Sequence, residues 1–149
     1  MDFYTILQIL ISSIAATSAM TLFSYAVSAS ARELYKEPVL LSYVLSHLHL
    51  EATPSVKNIL AWVLHYIIGL GFVVAYHFLW VYNILELTWQ IGILLGAISG
   101  IIGIITWFIL FKMVAQKPNI DYNGYYLQLF AAHLIFGFIA YAVYILFKL

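Results

Sequence analysis

The charged residues of this chain leave four long gaps. No Asp, Glu, Lys or Arg falls within 3–31, 58–85, 87–111 or 122–147. A helix crossing the ~30 Å hydrocarbon core of a bilayer needs about 20 apolar residues, so each gap admits one crossing and none admits two. All three prolines, Pro38, Pro54 and Pro118, lie outside the gaps, where a missing backbone donor does least harm. The pattern predicts an all-α membrane protein with four transmembrane helices, near 4–30, 59–81, 89–111 and 125–147, forming a single integral membrane domain over 1–149. Composition agrees. The chain is 65% hydrophobic and 8% charged, against about 25% charged in soluble domains. The first gap lacks a basic n-region and its apolar run is too long for a signal peptide, so it is expected to be a retained helix.

The same composition removes several function classes. Formal net charge is zero and there is no basic patch, so nucleic acid is not an expected partner. The absence of cysteine excludes disulfides, thiolate catalysis and cysteine-held metal. There is no G-x-S-x-G, no H-E-x-x-H, no phosphate-binding glycine loop and no paired carboxylate. Glu86 and Asp121 fall in connections on opposite sides of the membrane and cannot act together. No catalytic residue is therefore assigned, and the protein is expected not to be an enzyme. His47 and His49 alternate with leucine, but no cysteine or helical i, i+4 histidine partner supports a metal site, and none is expected.

Basic residues set the orientation. Arg32, Lys36, Lys57, Lys112 and Lys117 all lie in the first and third connections, whereas the second connection, around 82–90, and the N-terminal tail have no Lys or Arg. The positive-inside rule then puts connections one and three in the cytoplasm and both termini outside, in a bacterial inner membrane. Lys148 alone opposes this. Trp62 and Trp107 near the cytoplasmic helix ends, Trp80 and Trp89 near the outer ends, and Tyr82, Tyr122, Tyr125 and Tyr126 are expected to form the two interfacial belts. Connection one contains an apolar stretch, 38–46, too short to span. Two readings stand: a helix lying on the cytoplasmic interface, or an apolar loop packed under the bundle.

Helices two and four share a pattern. His65, Gly69, Phe72 and Tyr76 are spaced 4, 3, 4, and so are His133, Gly137, Ala140 and Tyr144. That spacing keeps each set on one helix face. His77 falls roughly 120° round from His65 at 3.6 residues per turn, on another face. Helices one and three carry small residues instead. Ser13, Thr17, Thr21, Ser24 and Ser28 make a hydroxyl stripe, and Gly92, Gly96, Gly100 and Gly103 a glycine stripe flanked by Ser99 and Thr106. Small residues at this spacing let helices approach closely in lipid. The expected plan is two hairpin repeats of the same orientation, each pairing a small-residue helix with a His-Gly-Tyr helix. The small-residue faces exceed the evident needs of one bundle, so a homo-oligomer or a larger membrane complex is an expected partner beside the lipid.

The residues Ala15, Ala16, Thr17, Ser18, Ala19, Met20 and Thr21, together with His65-x-x-x-Gly69 and His133-x-x-x-Gly137, resemble a group of small uncharacterised bacterial four-helix membrane proteins. These have an Ala-Thr-x-x-Met-Thr first helix and His-x-x-x-Gly openings on helices two and four. The resemblance implies the four-helix fold and carries no activity. Members often have a further histidine in helix three, where 99–107 has none here.

His65 and His133 each lie roughly 10 Å inside the start of their helices at 1.5 Å per residue. Ionisable groups within spans usually face the bundle interior. Three readings follow. The preferred one is packing: neutral imidazoles hydrogen-bonded across helices, with Gly69 and Gly137 permitting the approach, in a scaffold or complex subunit without cofactor. The second is proton or small-solute conduction, extended by Tyr76, Tyr144 and the hydroxyl stripe, although the spans contain no carboxylate. The third is a b-type haem ligated by His65 and His133.

Overall fold

The computed structural model describes residues 2–47 and 52–147. Among them the chain is helical throughout: α1 (Phe3–Ala31), α2 (Glu37–His47), α3 (Pro54–Val81), α4 (Trp89–Met113) and α5 (Tyr122–Leu146). α1, α3, α4 and α5 are long and apolar enough to cross a membrane, so the chain has the build of a multi-pass membrane protein. Side-chain caps explain three of the starts. Asp2 accepts from the Thr5 amide at 2.8 Å, Thr53 from Val56 and Thr88 from Ile91, each at 3.4 Å. These bonds satisfy amides that the first turn leaves orphaned. α3 begins at Pro54 rather than near 59, because the fixed φ of proline suits the first helical position.

Extended packing joins α4 to α5, α5 to α1, α1 to α3 and α3 to α2. The two stripes are consumed in these contacts. A Cβ on Gly137 would lie 2.6 Å from Gly96 Cα and would also strike the Gly92 carbonyl. On Gly100 it would lie 3.1 Å from His133 Cβ, and on Gly103 3.1 Å from the His133 ring. Backbone therefore meets backbone where α4 crosses α5, as small residues allow in lipid. On the other side of the bundle, Gly69 of α3 gives room to the Thr17 hydroxyl of α1. Ser13, Thr17, Thr21, Ser24 and Ser28 are all buried within the chain. Most of the small-residue faces are thus occupied inside one copy.

α3 and α4 lack such a seam. Near one end they are tied by the Tyr76 hydroxyl, which bonds the Leu95 carbonyl at 2.9 Å and the Ser99 hydroxyl at 2.5 Å. Towards the other end they part, and α2 occupies that end. Its Leu40 and Val44 have no exposed surface and pack with Trp107, Phe111, Val114, Tyr125 and Leu129. The residues expected at an interface or in a loop under the bundle thus form a helix seated in the bundle end. A left-handed Arg32 (φ 57°) turns the chain after α1, and Tyr43 hydroxyl to Gln116 carbonyl, at 2.9 Å, ties α2 to the connection after α4.

The residues expected in the aromatic belts differ in burial. Trp80, Trp107 and Tyr125 are buried, because each lies on the face its helix turns to a neighbour. Trp89 and Tyr82 remain exposed.

Candidate functional site

Where α3 and α4 part, a partly open cavity of about 100 Å³ is lined by residues of all five helices. Its walls are mostly apolar, with Met20, Phe72, Trp107, Leu129 and Phe136 among them. The polar groups that reach it are Thr17 of α1, Glu37 of α2, His65 of α3, Thr106 of α4 and His133 of α5. His65 and His133, matched in depth by their sequence positions, do line one space.

The two histidines are held differently. The Thr21 hydroxyl donates to the Thr17 carbonyl at 2.7 Å, so its single hydrogen is spent. It must then accept from His65 Nε2, 2.9 Å away, which puts the His65 proton on Nε2. His133 Nδ1 lies 2.8 Å from the Leu129 carbonyl. A carbonyl can only accept, so Nδ1 carries the hydrogen and His133 Nε2 is left as an acceptor. That ring is buried between Gly103 and the rings of Phe72 and Phe136.

Glu37 is the group that the sequence reading passed over. It opens α2, is only 2% exposed, and projects to the cavity from a helix end rather than from a span. Its Oε1 lies 2.7 Å from the Ser24 hydroxyl and 3.3 Å from Gln128 Nε2, and Gln128 Nε2 also donates to Ser24 at 2.5 Å. Its Oε2 is buried with no hydrogen-bond partner. Burial pushes the carboxyl up to about 7, against the lowering effect of the bonds from Ser24, its own backbone and Gln128.

Counting hydrogens points the same way. Ser24 Oγ has three neighbours within bonding distance: the Met20 carbonyl at 3.0 Å, Glu37 Oε1 and Gln128 Nε2. It has one hydrogen and two lone pairs. If Glu37 is protonated, its hydroxyl donates to Ser24, Gln128 donates to Ser24, and Ser24 donates to Met20. All three bonds form. If Glu37 is ionised, Ser24 must release Met20 to donate to the carboxylate. The neutral acid is the form the surroundings fit.

The second half of each expected motif lies at the far end. Tyr76 binds α4 as described. The Tyr144 hydroxyl meets His77 Nδ1 at 2.7 Å, and Gln8 Nε2 donates to the Tyr144 carbonyl at 2.8 Å. His77, assigned to another face, is therefore buried and faces α5 rather than lipid. His47 bonds its own Tyr43 carbonyl at 2.9 Å, and no cluster of metal-ligating side chains occurs among the described residues. His49 and Lys148 lie outside them.

Against models of protein families, curated proteins and solved structures, the chain finds no match.

Proposed function

We propose that this is a multi-pass protein of the bacterial inner membrane, both termini outside, that takes up and passes protons at an interior carboxylate–histidine centre, without enzymatic chemistry. The observation that carries the reading is Glu37: a carboxyl buried among the helices, with no ion pair among the described residues, beside a cavity shared with two imidazoles. Buried ionisable groups are costly in a membrane protein and mark ion or proton pathways. The conduction reading of the sequence lacked a carboxylate, and α2 supplies one. The polar groups at the opposite end, Tyr76, Ser99, His77 and Tyr144, extend the interior beyond the cavity.

Orientation follows from the basic residues near the α2 end. The contacts of Gly69 with Thr17 and of Gly137 with Gly92 and Gly96 support two hairpin repeats, and with them the resemblance to the small bacterial four-helix group. The packing or complex-subunit role remains the alternative. Haem ligation has less support. His65 Nε2 already donates to Thr21, and about 100 Å³ cannot admit a macrocycle unless α3 and α4 separate.

The test is proton flux in proteoliposomes carrying a trapped pH dye. Wild-type protein should dissipate an imposed pH gradient faster than empty liposomes, and Glu37→Gln and His133→Ala should slow it. If the wild type leaves the gradient as stable as empty liposomes do, the proton-handling reading fails and the subunit role stands.

A further inference from the structure

Three buried polar groups converge on the α3–α4 cavity with unfilled hydrogen-bonding capacity. Glu37 Oε2 and Thr17 Oγ1 have no partner. His133 Nε2 is an acceptor by the tautomer argument, its Nδ1 hydrogen being committed to Leu129. They come from α2, α1 and α5. A buried polar group left unsatisfied costs about 1–3 kcal/mol, and a polar site with two to four partners and ≳10–15 Å³ of room per molecule is one that water fills. The cavity, at about 100 Å³, has room for several.

We propose that the cavity is a water-binding site, in which ordered waters join the Glu37 carboxyl, the Thr17 hydroxyl and His133 Nε2 into one proton-sharing unit. In the resting form Glu37 is the acid and His133 the base. Transfer begins when the carboxyl turns so that its O–H leaves Ser24 and faces the cavity; it then breaks that O–H bond, passes the proton along water as each molecule accepts one hydrogen and releases another, and forms an N–H bond at His133 Nε2. A carboxylate and an imidazolium result, with no net change in charge. Thr17 is a positioning residue: its hydroxyl anchors the water between the two ends, and Gly69 leaves the room for it. The titratable groups that face Glu37 are Tyr25 of α1, Tyr125 and His133 of α5 and His65 of α3. The α4 wall contributes none. The unit rests on the proton-handling reading, but it is tested without measuring flux.

The experiment is infrared spectroscopy of the reconstituted full chain in water and in deuterium oxide. The carboxylic C=O band of Glu37 is assigned by its loss in Glu37→Gln, or by its shift in Glu37→Asp if the glutamine variant does not fold. In the wild type the band should move promptly on exchange into deuterium oxide. In Thr17→Val, which keeps the side-chain shape, the band should rise in frequency and its exchange should slow by roughly tenfold, the factor expected for losing about 1.4 kcal/mol of water binding. His133→Gln should shift the same band. A wild-type band that does not exchange would show a dry cavity and overturn the proposal. So would a Thr17→Val band identical to the wild type in frequency and exchange. Prompt exchange together with no proteoliposome flux would keep the water unit and reject conduction.

Discussion

Glu37 makes the stability of the bundle depend on pH, with a sign and a size that follow from its surroundings. Its carboxyl is raised from 4.5 to about 7 by burial. Below 4.5 both folded and unfolded chains carry the proton, and the group contributes no pH dependence. Between 4.5 and about 7 the unfolded chain ionises while the folded chain keeps its proton, so stability falls as pH rises. At about 1.36 kcal/mol per pH unit the loss amounts to ~3 kcal/mol by the folded pKa, levelling off above it. The side chain is enclosed, so solvent screening does not reduce the figure. Glu37→Gln has the shape of the neutral acid and cannot ionise. Equilibrium unfolding of wild type and variant in the same lipid–detergent mixture isolates the group. The wild type should lose ~3 kcal/mol relative to the variant across this window, about a hundredfold in the unfolding equilibrium. A wild-type-to-variant difference that stays constant from 4.5 to above 7 would refute the argument, and with it the neutral-acid assignment at Ser24.

The glycines give a paired comparison. Gly137→Ala forces a Cβ against the α4 backbone at Gly92 and Gly96 and should destabilise by about 1–3 kcal/mol. In contrast, Gly71→Ala, which meets nothing within 4 Å, should be neutral or stabilising by up to ~1 kcal/mol; both are read by the same unfolding assay, and equal effects would deny the α4–α5 seam. Orientation can be read by labelling, since the chain has no cysteine. Glu86→Cys should react with an impermeant maleimide on intact cells and Asn119→Cys only after permeabilisation, and the reverse pattern would place both termini inside.

The four long helices were legible because a single rule governs them: no charge lies in their middle stretches, and prolines and charges gather at their ends or outside. The paired stripes were legible for a related reason, since small residues at helical spacing have few other uses in lipid. His65 and His133 could be matched by depth, and both reach the cavity. Glu37 could not be found by that rule. It stands between Arg32, Glu33, Lys36 and the apolar run 38–46, where a charge reads as part of a solvated connection. The available signal was its place at the head of an apolar segment with helical length. His77 does lie on another face than His65, but its burial there was not legible. Periodicity gives the angle between two residues on a helix, but not how many of its faces are covered, and α5 covers the second face of α3 at that level through Tyr144.

A carboxyl carried on a short inserted helix has a property that one carried on a span lacks. Placed mid-span it must cross the hydrocarbon during insertion, at about 2.5–3.5 kcal/mol. At the head of α2 it lies on a helix that is not a span, so no crossing is needed to place it. The position also sets its proton affinity from two directions. Burial raises the carboxyl, while the hydrogen bonds with Ser24, its own backbone and Gln128 lower it. The balance leaves the group near neutrality rather than locked in one form. Because the same helix seats Leu40 and Val44 against α4 and α5, ionisation cannot be separated from packing. A charge at Glu37 costs the Ser24–Met20 bond at the head of the helix that fills the bundle end.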